Sequence, residues 1–390
     1  MRRIAANFAF DGNRWIKKPL ILIDEDGFIR DVAEFRPEKG EPARTEFYNG
    51  ILAPGFINAH THLELSYAGQ TWSENTGMPG FINHVRNIRQ VEGQPETSRI
   101  QKELRKMKQA GTVGLVDVVN SGLSLEPLVA SGVTAMAMLE YMTLTPENIA
   151  AQTEHFLTMK SEFPALRFCN ALHAPYALSV RNYETLQTVF SEYQVTGSLH
   201  FLESSDEMKL YRGEGALLDL YNQLDKGYAP AVSSCDLAEH IMRFLSATAR
   251  PLFVHNTHIT RRQADTIKTM AEKSGQYPGW VLCPRSNYAI ESCLPPFDVL
   301  RETGLPIMLG TDSLLSAQTL SVFDELMYVH NLMSDIPLSE LLQWVTKNPA
   351  GMLGWNELGT LEPGKKPGVN LIEDGSPDGI PPGANLNVLI

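Results

Sequence analysis

The sequence predicts an α/β fold: a (β/α)8 barrel accompanied by a small β-domain that both ends of the chain build. Eight short apolar runs alternate with amphipathic helical stretches between about residues 51 and 355. Strands that alternate with helices indicate βαβ units and a parallel sheet, and eight of them over a region of this length are typical of the barrel. Short strand-like runs with turn signals occupy residues 1–50 and 356–390 instead.

The two chain ends predict the β-domain. Asp-Gly pairs at 11–12 and 26–27 separate short apolar runs, and Asp-Gly between such runs indicates a hairpin. The segment 356–390 has the same turn-rich character, so we expect its strands to pair with the N-terminal ones. The predicted domains are therefore 1–50 and 356–390 for the two parts of the β-domain, and 51–355 for the barrel.

The barrel region contains eight apolar runs that we predict as strands. They are 51–58, 112–119, 133–139, 167–172, 195–202, 251–254, 280–283 and 306–310. Amphipathic stretches such as 98–110 and 181–193 lie between them. A doubly wound open sheet is the alternative, but no glycine-rich phosphate loop follows the first run, which favours the barrel.

Composition and charge narrow the class of partner. The chain has 390 residues and a net charge of −12, which disfavours nucleic acid and anionic membrane surfaces. No apolar run approaches the length of a membrane span. The four cysteines form neither a C-x-x-C pair nor a disulfide framework, so the cytosol is the expected location. We expect a small-molecule substrate and leave a homodimer or larger homo-oligomer open.

Histidines and carboxylates follow five of the eight predicted strands. In a (β/α)8 barrel the active site lies at the carboxyl ends of the strands. The residues that fall there are His60, His62, His173, His200, Glu203, His255, His258 and Asp312. His60 and His62 are two residues apart on a strand, so their side chains point to the same face and can ligate one ion.

This set of side chains predicts a hydrolytic metal site. Three imidazoles and a carboxylate suit one divalent cation of borderline softness, with Zn²⁺ favoured and Fe²⁺ or Mn²⁺ as alternatives. Such an ion lowers the pKa of a bound water and makes hydroxide available near neutral pH. Glu203 is the candidate proton shuttle. His255 could orient the hydroxide or polarise the substrate, and Asp312 could both ligate the ion and accept a proton.

Each residue also has a structural explanation. A His-x-His pair can arise by chance at a strand end, and His173 could merely bond a loop backbone. Asp312 could cap the helix that follows it, and Glu203 could be a solvated loop carboxylate. The occurrence of all of them at strand ends favours the site over these separate explanations.

Several motifs resemble those of the amidohydrolase superfamily, in its chlorohydrolase and purine or pyrimidine deaminase branch. They are "PGFINAHTH", "HAPYALS", "HFLE", "VHNTH", "CPRSNYAI", "LGTDS", "NPAGMLGW" and "LGTLEPGKKPGVNLI". They run in the family order and cover nearly the whole chain. The resemblance implies a (β/α)8 barrel with a β-sandwich made from both termini, in agreement with the fold that the pattern predicts.

Carried over motif by motif, the resemblance implies a role for each matching residue. The metal ligands would be His60, His62, His200 and Asp312, the acid–base residue Glu203, the residue assisting the hydroxide His255, and the substrate contacts His173 and Asn287. Binuclear members use a lysine around the fourth strand. This chain has His173 there, which indicates a single metal ion.

The segment between the first two strands differs from the family pattern. Nucleoside-type deaminases supply a carboxylate for the ribose from this region, and neither Glu74 nor Glu92 aligns with that role. We expect Trp72, Glu74, His84 and Arg89 to shape the substrate pocket, with loop packing as the alternative. The substrate is therefore the part of the function that the sequence specifies least.

The combined prediction is a metal-dependent aminohydrolase that deaminates an amino-substituted heteroaromatic ring, such as a purine, pyrimidine, pterin or nucleoside, through a metal-bound hydroxide. The alternative is hydrolysis of another bond on the same centre, by dechlorination or by cleavage of an amide or cyclic amide. A non-catalytic ligand-binding barrel is a third reading. The presence of Glu203 and His255 beside the ligands argues against it, because binding alone needs no proton shuttle.

Overall fold

The computed structural model describes residues 1–35, 44–67, 77–142, 145–233 and 236–390. The predicted fold class is confirmed. Eight parallel strands with helices between them form a nearly closed barrel, and strands from both chain ends build a second sheet. Within these residues, no helix combines the length and the apolar character needed to cross a bilayer.

The barrel strands lie in the sheet in their order along the chain. They are β6 Phe56–Thr61, β7 Thr112–Val119, β8 Thr134–Tyr141, β9 Arg167–Leu172, β10 Gln194–Phe201, β11 Thr248–His255, β12 Gly279–Leu282 and β13 Ile307–Leu309. Most of their residues are buried, as expected for a parallel sheet that is covered on both faces. Seven of the eight predicted runs therefore match a strand to within a few residues.

The second sheet joins the two ends of the chain. Its strands are β1 Arg2–Phe10, β2 Trp15–Lys17, β3 Pro19–Ile23, β4 Ile29–Glu34, β5 Thr45–Pro54, β14 Val369–Glu373 and β15 Leu386–Val388. The predicted hairpin at Asp11–Gly12 is present, because β1 pairs antiparallel with β2. The predicted pairing of the C-terminal segment is also present, since β14 pairs antiparallel with β5.

Helices connect the barrel strands and continue after the last one. They are α1 Gly77–Glu92, α2 Thr97–Gln109, α3 Leu125–Ser131, α4 Pro146–Glu162, α5 Tyr183–Phe190, α6 Ser205–Leu210, α7 Ala216–Leu224, α8 Leu237–Phe244, α9 Arg261–Ser274, α10 Pro284–Glu291, α11 Phe297–Glu302, α12 Val322–Leu332, α13 Leu338–Val345 and α14 Lys347–Leu353. Helix α9 begins with a complete capping box between Thr260 and Gln263, the strongest local signal for a helix start.

The first predicted barrel strand, 51–58, needs correction. Its first half belongs to β5 in the second sheet, and its second half begins β6 of the barrel. Gly55 separates the two strands. A Cβ at this position would lie 2.2 Å from Val113 Cγ1, so only glycine lets the backbone pass there. One continuous apolar run thus contributes strands to two different sheets. The apolar pattern alone does not show this division.

The barrel closes where the last strand meets the first. The amides of Thr311 and Asp312 both donate to the carbonyl of His60, at 3.0 and 3.1 Å, and the amide of His62 faces the Asp312 carbonyl at 3.4 Å. Gly310 lies against the same strand, and a Cβ there would sit 2.7 Å from His60 Cβ. Three residues expected to be metal ligands, His60, His62 and Asp312, therefore lie at the closure itself.

By its contacts the chain divides into two compact units. The first comprises Met1–Ala59, Arg105–Leu115 and Ser321–Ile390, and buried aliphatic residues of its sheet, such as Ile4, Ile21 and Leu371, form its core. The second comprises His60–Leu104 and Val116–Leu320. The domain bounds 1–50, 51–355 and 356–390 remain our proposal. Strand β5 spans the boundary that this proposal places at residue 50.

We expect Gly310→Ala to destabilise the protein. The new Cβ would overlap the backbone and Cβ of His60, and overpacking a tight site costs about 1–3 kcal/mol. The measurement is the free energy of unfolding in urea. Gly351→Ala is the matched control, because its Cβ meets nothing within 4 Å and it lies in α14. Equal stability of the two variants would contradict the role assigned to Gly310.

Candidate active site

Three histidine rings converge at the carboxyl ends of β6 and β10. The Nε2 atoms of His60 and His62 are 3.1 Å apart, and each lies 3.3 Å from Nε2 of His200. Nitrogens bound at zinc distance to one tetrahedral ion lie about 3.3 Å from each other. The spacing of these three atoms therefore fits the ligand shell of a single ion.

The protonation of the cluster also fits a cation. Burial lowers the pKa of His60 to about 4 and lowers the pKa values of His62 and His200, so all three rings are neutral at pH 7. The Nδ1–H of His200 donates to the carbonyl of His173 at 2.8 Å. That bond fixes the tautomer and leaves the lone pair of His200 on Nε2, where it faces the other two rings.

Asp312 supplies the carboxylate of the cluster. Its Oδ1 lies 3.4 Å from His62 Nε2 and 3.7 Å from His60 Nε2. Its Oδ2 accepts hydrogen bonds of 2.6 Å from the hydroxyls of both Ser286 and Ser316. Burial alone would raise the pKa of Asp312, but its interactions with His60, His62 and His255 hold it well below its ordinary value. Asp312 thus presents an ionised, oriented oxygen to the histidines.

Glu203 and His255 form an acid–base pair next to the cluster. Glu203 Oε1 lies 3.4 Å from His255 Nε2. Burial, together with the charge of Asp312, raises the pKa of Glu203 well above its ordinary value and so favours the protonated carboxyl. Burial lowers the pKa of His255. The pair therefore offers a proton donor and a neutral imidazole side by side.

The backbone at these strand ends adopts a rare conformation. Leu202, His255, Asn256 and Asp312 have φ values of 51°, 72°, 57° and 60°, in the left-handed region that side chains usually avoid. Such residues persist only where surrounding contacts hold them, and they cluster at functional sites. Leu202 directly follows β10, His255 and Asn256 are the last residue of β11 and the residue after it, and Asp312 lies three residues beyond β13.

A cavity of about 240 Å³ opens beside the acid–base pair. This is many times the space that one buried water needs, roughly 10–15 Å³, so the cavity can take a small organic molecule. Its apolar walls come largely from α1 and α7, through Met78, Phe81, Ile82, Val85, Leu220 and Leu224. Its polar wall consists of Asn120, Glu140, His173 and Tyr176.

Two arginines of α1, Arg86 and Arg89, also line the cavity. They are three residues apart and therefore lie on the same face of the helix. In the part of the chain that the structure describes, neither guanidinium has a carboxylate partner. An apolar cavity with two such cations at its edge favours a ligand that carries a negative charge away from its apolar part.

The predicted site residues fall into four groups. His60, His62, His200, Glu203, His255 and Asp312 are brought together, and His173 and Arg89 line the cavity. His84 lies on α1, yet it is not among the described residues that line the cavity. Trp72 and Glu74 lie outside the described residues.

The structure gives Asn287 a place other than the expected substrate contact. Its Oδ1 accepts the Nδ1–H of His255 at 3.0 Å, and its Nδ2 donates to the Thr257 hydroxyl at 2.6 Å. It is buried behind His255 and is not among the cavity-lining residues of the described chain. Asn287 is therefore placed to orient His255, because its amide oxygen faces Nδ1 of that ring and favours the tautomer with the proton there.

Sequence reasoning missed Glu140, Asn120 and Arg86. Glu140 is the penultimate residue of β8, and Asn120 directly follows β7. Both therefore satisfy the positional rule that singled out the histidines, but they lie in or beside apolar runs without a recognisable motif. Arg86 precedes Arg89 by almost one helical turn, which is a signal only once the helix and its buried face are known.

The chain matches known proteins over most of its length. The model of the Amidohydrolase family matches residues 51–387. Adenosine deaminase of Helicobacter pylori is 26% identical over 330 residues, 82% of this chain and 78% of that protein. Aminodeoxyfutalosine deaminase of Deinococcus radiodurans is 26% identical over 334 residues, which are 80% of this chain and 75% of that protein.

A solved structure has the same fold. The crystal structure of Helicobacter pylori aminofutalosine deaminase in complex with methylthio-coformycin aligns with a TM-score of 0.82 at 23% identity. The alignment covers 96% of this chain and 92% of that chain.

We expect His200→Ala to lose most of the metal that the purified protein carries. Removing His200 takes away one of the four expected ligands and leaves two imidazoles and one carboxylate, a weaker donor set for the ion. The measurement is metal content by elemental analysis. His240→Ala is the control, since that ring packs against Tyr183 instead. Equal metal content in both variants would rule out the histidine cluster as the binding site.

Proposed function

Because the chain belongs to the amidohydrolase family, we propose that it is a metal-dependent aminohydrolase that removes the amino group from an amino-substituted heteroaromatic ring. The observation that carries this proposal is the 3.4 Å approach of Glu203 Oε1 to His255 Nε2 beside three converging histidines. Both relatives reported above are named deaminases. The overall reaction replaces a C–NH₂ group by a carbonyl, consuming water and releasing ammonia.

The donor set supports one zinc ion, with Fe²⁺ or Mn²⁺ as alternatives. His60, His62, His200 and Asp312 would hold it, because three neutral imidazole nitrogens and one carboxylate oxygen are ligands that zinc prefers. When bound, such an ion polarises its water and lowers the pKa of that water. His173 directly follows β9, the fourth strand of the barrel, and this position therefore offers no lysine for a second ion.

Glu203 would move the protons of the reaction. Its carboxylate takes a proton from the attacking water, transfers it to the ring nitrogen next to the reacting carbon, and later helps to protonate the departing amine. The environment that raises its pKa suits the protonated phase of this cycle. His255 Nε2 would accept a hydrogen bond from the attacking water, since Asn287 holds its proton on Nδ1. His173 would contact the substrate from the polar wall.

We propose a purine nucleoside as the substrate class. The support is the names of the two relatives, the apolar walls that α1 and α7 provide for a flat ring system, and the polar residues that also line the cavity. The guanidinium groups of Arg86 and Arg89 further favour a nucleoside with an anionic group far from its amine. Dechlorination and amide or cyclic amide cleavage have less support, because the relatives reported above are deaminases.

The remaining proposals concern the setting of the enzyme. We propose that its partner is a small-molecule substrate, in keeping with the size of the cavity. We propose the cytosol as its location, because the free thiols of Cys169, Cys283 and Cys293 suit a reducing compartment. Cys235 lies outside the described residues.

We expect Glu203→Gln to lower kcat by a factor of about 10²–10⁴, the usual contribution of a general acid–base residue. An amide cannot shuttle the proton, while its size leaves the cavity unchanged. The measurement is ammonia release from adenosine, other purine nucleosides, pyrimidines and pterins, with metal content in parallel. Glu239→Gln is the control, because Glu239 is half-exposed and pairs with Arg243 on α8.

Two results would contradict the proposal. One is full turnover by the glutamine variant at unchanged metal content. The other is the absence of ammonia release by the metal-loaded wild type from every compound of the panel, with chloride or a new carboxylate formed instead from halogenated or amide compounds.

We expect Arg86→Met with Arg89→Met to abolish a preference for anionic substrates. The wild type should act faster on a 6-aminopurine nucleoside with a 5′-linked carboxylate than on the same compound as its methyl ester. The double variant should lose about tenfold in kcat/KM for the carboxylate alone, the lower end for a hydrogen bond to a charged group. Arg105→Met on α2 is the control. A tenfold loss of kcat/KM for the methyl ester as well would show that the arginines do not recognise the charge of the substrate.

A further inference from the structure

The polar wall of the cavity is a chain of hydrogen bonds that runs from Asn120 through Glu140 and His173 to Tyr176. The Nδ1–H of His173 donates to Glu140 Oε1 at 2.8 Å, and Asn120 Nδ2 donates to Glu140 Oε2 at 2.8 Å. On the other side of the ring, His173 Nε2 lies 3.3 Å from the hydroxyl of Tyr176. Asn120, Glu140, His173 and Tyr176 all line the cavity.

We propose that Glu140 is a positioning residue, which fixes the ring of His173 so that Nε2 presents itself to the substrate. The inference rests on the proposed function, because it assumes that the ligand in the cavity is the substrate. It concerns orientation: with Nδ1–H committed to Glu140, Nε2 is the ring nitrogen that can face a ligand, next to the hydroxyl of Tyr176.

Glu140 is built to hold a fixed direction. Its side chain is nearly inaccessible to solvent, and a buried carboxylate is tolerated only when it is hydrogen-bonded. Each of its two oxygens has its own partner: His173, directly after β9, and Asn120, directly after β7. A carboxylate held at both oxygens cannot rotate about its terminal bond, so the direction of the His173 ring follows from the position of β8.

Asn120 is anchored by a second buried carboxylate. Glu64 Oε2 accepts the amides of Asn120 and Ser121 at 3.0 and 2.8 Å, and Glu64 Oε1 accepts the amide of Leu123 at 2.9 Å. Glu64 follows His62 by two residues. The turn that begins at a proposed metal ligand therefore also sets the loop that carries Asn120, and through Glu140 it reaches His173.

A competing explanation is that Glu140 serves the metal centre. Glu140 Oε1 also lies 3.8 Å from His200 Nδ1, and Glu140, His173 and His200 have ligand atoms close enough to hold a cation themselves. However, His200 Nδ1–H donates to the His173 carbonyl at 2.8 Å, and the 2.8 Å contact between Glu140 and His173 is an ordinary N–H···O bond. The shorter contacts favour His173 as the partner of Glu140.

The test is a double-mutant cycle with Glu140→Gln, His173→Gln and both together, on the metal-loaded enzyme. Each single variant should raise KM for the best substrate of the ammonia-release panel about tenfold, with a much smaller effect on kcat, as for loss of a ground-state contact. The double variant should be no worse than His173→Gln, because the two residues act as one unit. Glu154→Gln, on the exposed face of α4, is the matched control.

A second measurement does not depend on turnover. In the wild type, the ring N–H of His173 should give a downfield proton resonance that His173→Gln removes. Glu140→Gln should shift this resonance upfield, since an amide oxygen accepts more weakly than a carboxylate. Asn120→Ala, which frees one oxygen of Glu140, should shift it less. Metal content and the unfolding midpoint should match the wild type.

The outcomes separate the two proposals. If Glu140→Gln leaves both KM and the His173 resonance unchanged while the wild type releases ammonia, Glu140 does not position His173 and the inference is wrong. It is also wrong if Glu140→Gln loses metal, because Glu140 would then belong to the metal centre. If the wild type releases no ammonia but the resonance shifts as expected, the hydrogen-bonded pair stands, whereas the deaminase proposal fails.

Discussion

The closure of the barrel between its last and first strands is the constraint on which the site depends. The carbonyl of His60 accepts the amides of Thr311 and Asp312, so the residue after the last strand is fixed directly against the first metal-ligand candidate. Because Gly310 has no side chain, the two backbones approach closely enough for these bonds to form. Asp312 then needs only its two serine partners to aim its carboxylate at the rings. Fold and chemistry share these few hydrogen bonds.

Buried carboxylates perform much of the positioning around this closure. Glu64 accepts three backbone amides, Glu140 holds His173, and Glu207 accepts the amide of Glu203 at 2.9 Å and the Tyr211 hydroxyl at 2.9 Å. A carboxylate that receives several N–H bonds is a strong and directional anchor. In the case of Glu203, the backbone is held by Glu207 while the side chain stays available for proton transfer. One carboxylate, that of Glu207, thus holds the backbone, and another, that of Glu203, remains free to act in the reaction.

The sequence predicts the frame of the site better than its details, for physical reasons. Strand positions followed from buried β-branched runs, and the histidines and Asp312 were found because the carboxyl ends of parallel strands meet at one edge. The run at 51–58 misled because a single glycine divides it between two sheets. Glu140 was missed because a carboxylate inside an apolar run looks like a strand residue until its neighbours are known. Asn287 was placed on the substrate side because its motif lies near the pocket, whereas only coordinates reveal that its amide faces His255.

The closure has a kinetic consequence for a bound ion. The proposed ligands come from the first, fifth and last segments of the barrel. The first and last are joined by an isolated parallel bridge between Thr61 and Asp312 and by the hydrogen bonds to the His60 carbonyl. Local opening of this seam would separate Asp312 from the histidines without unfolding the other strands. The residence time of a bound ion would then depend on how often this seam opens as well as on the strength of the metal–ligand bonds. The rate at which a bound ion exchanges with an isotope in solution would therefore report how often the barrel opens at this seam.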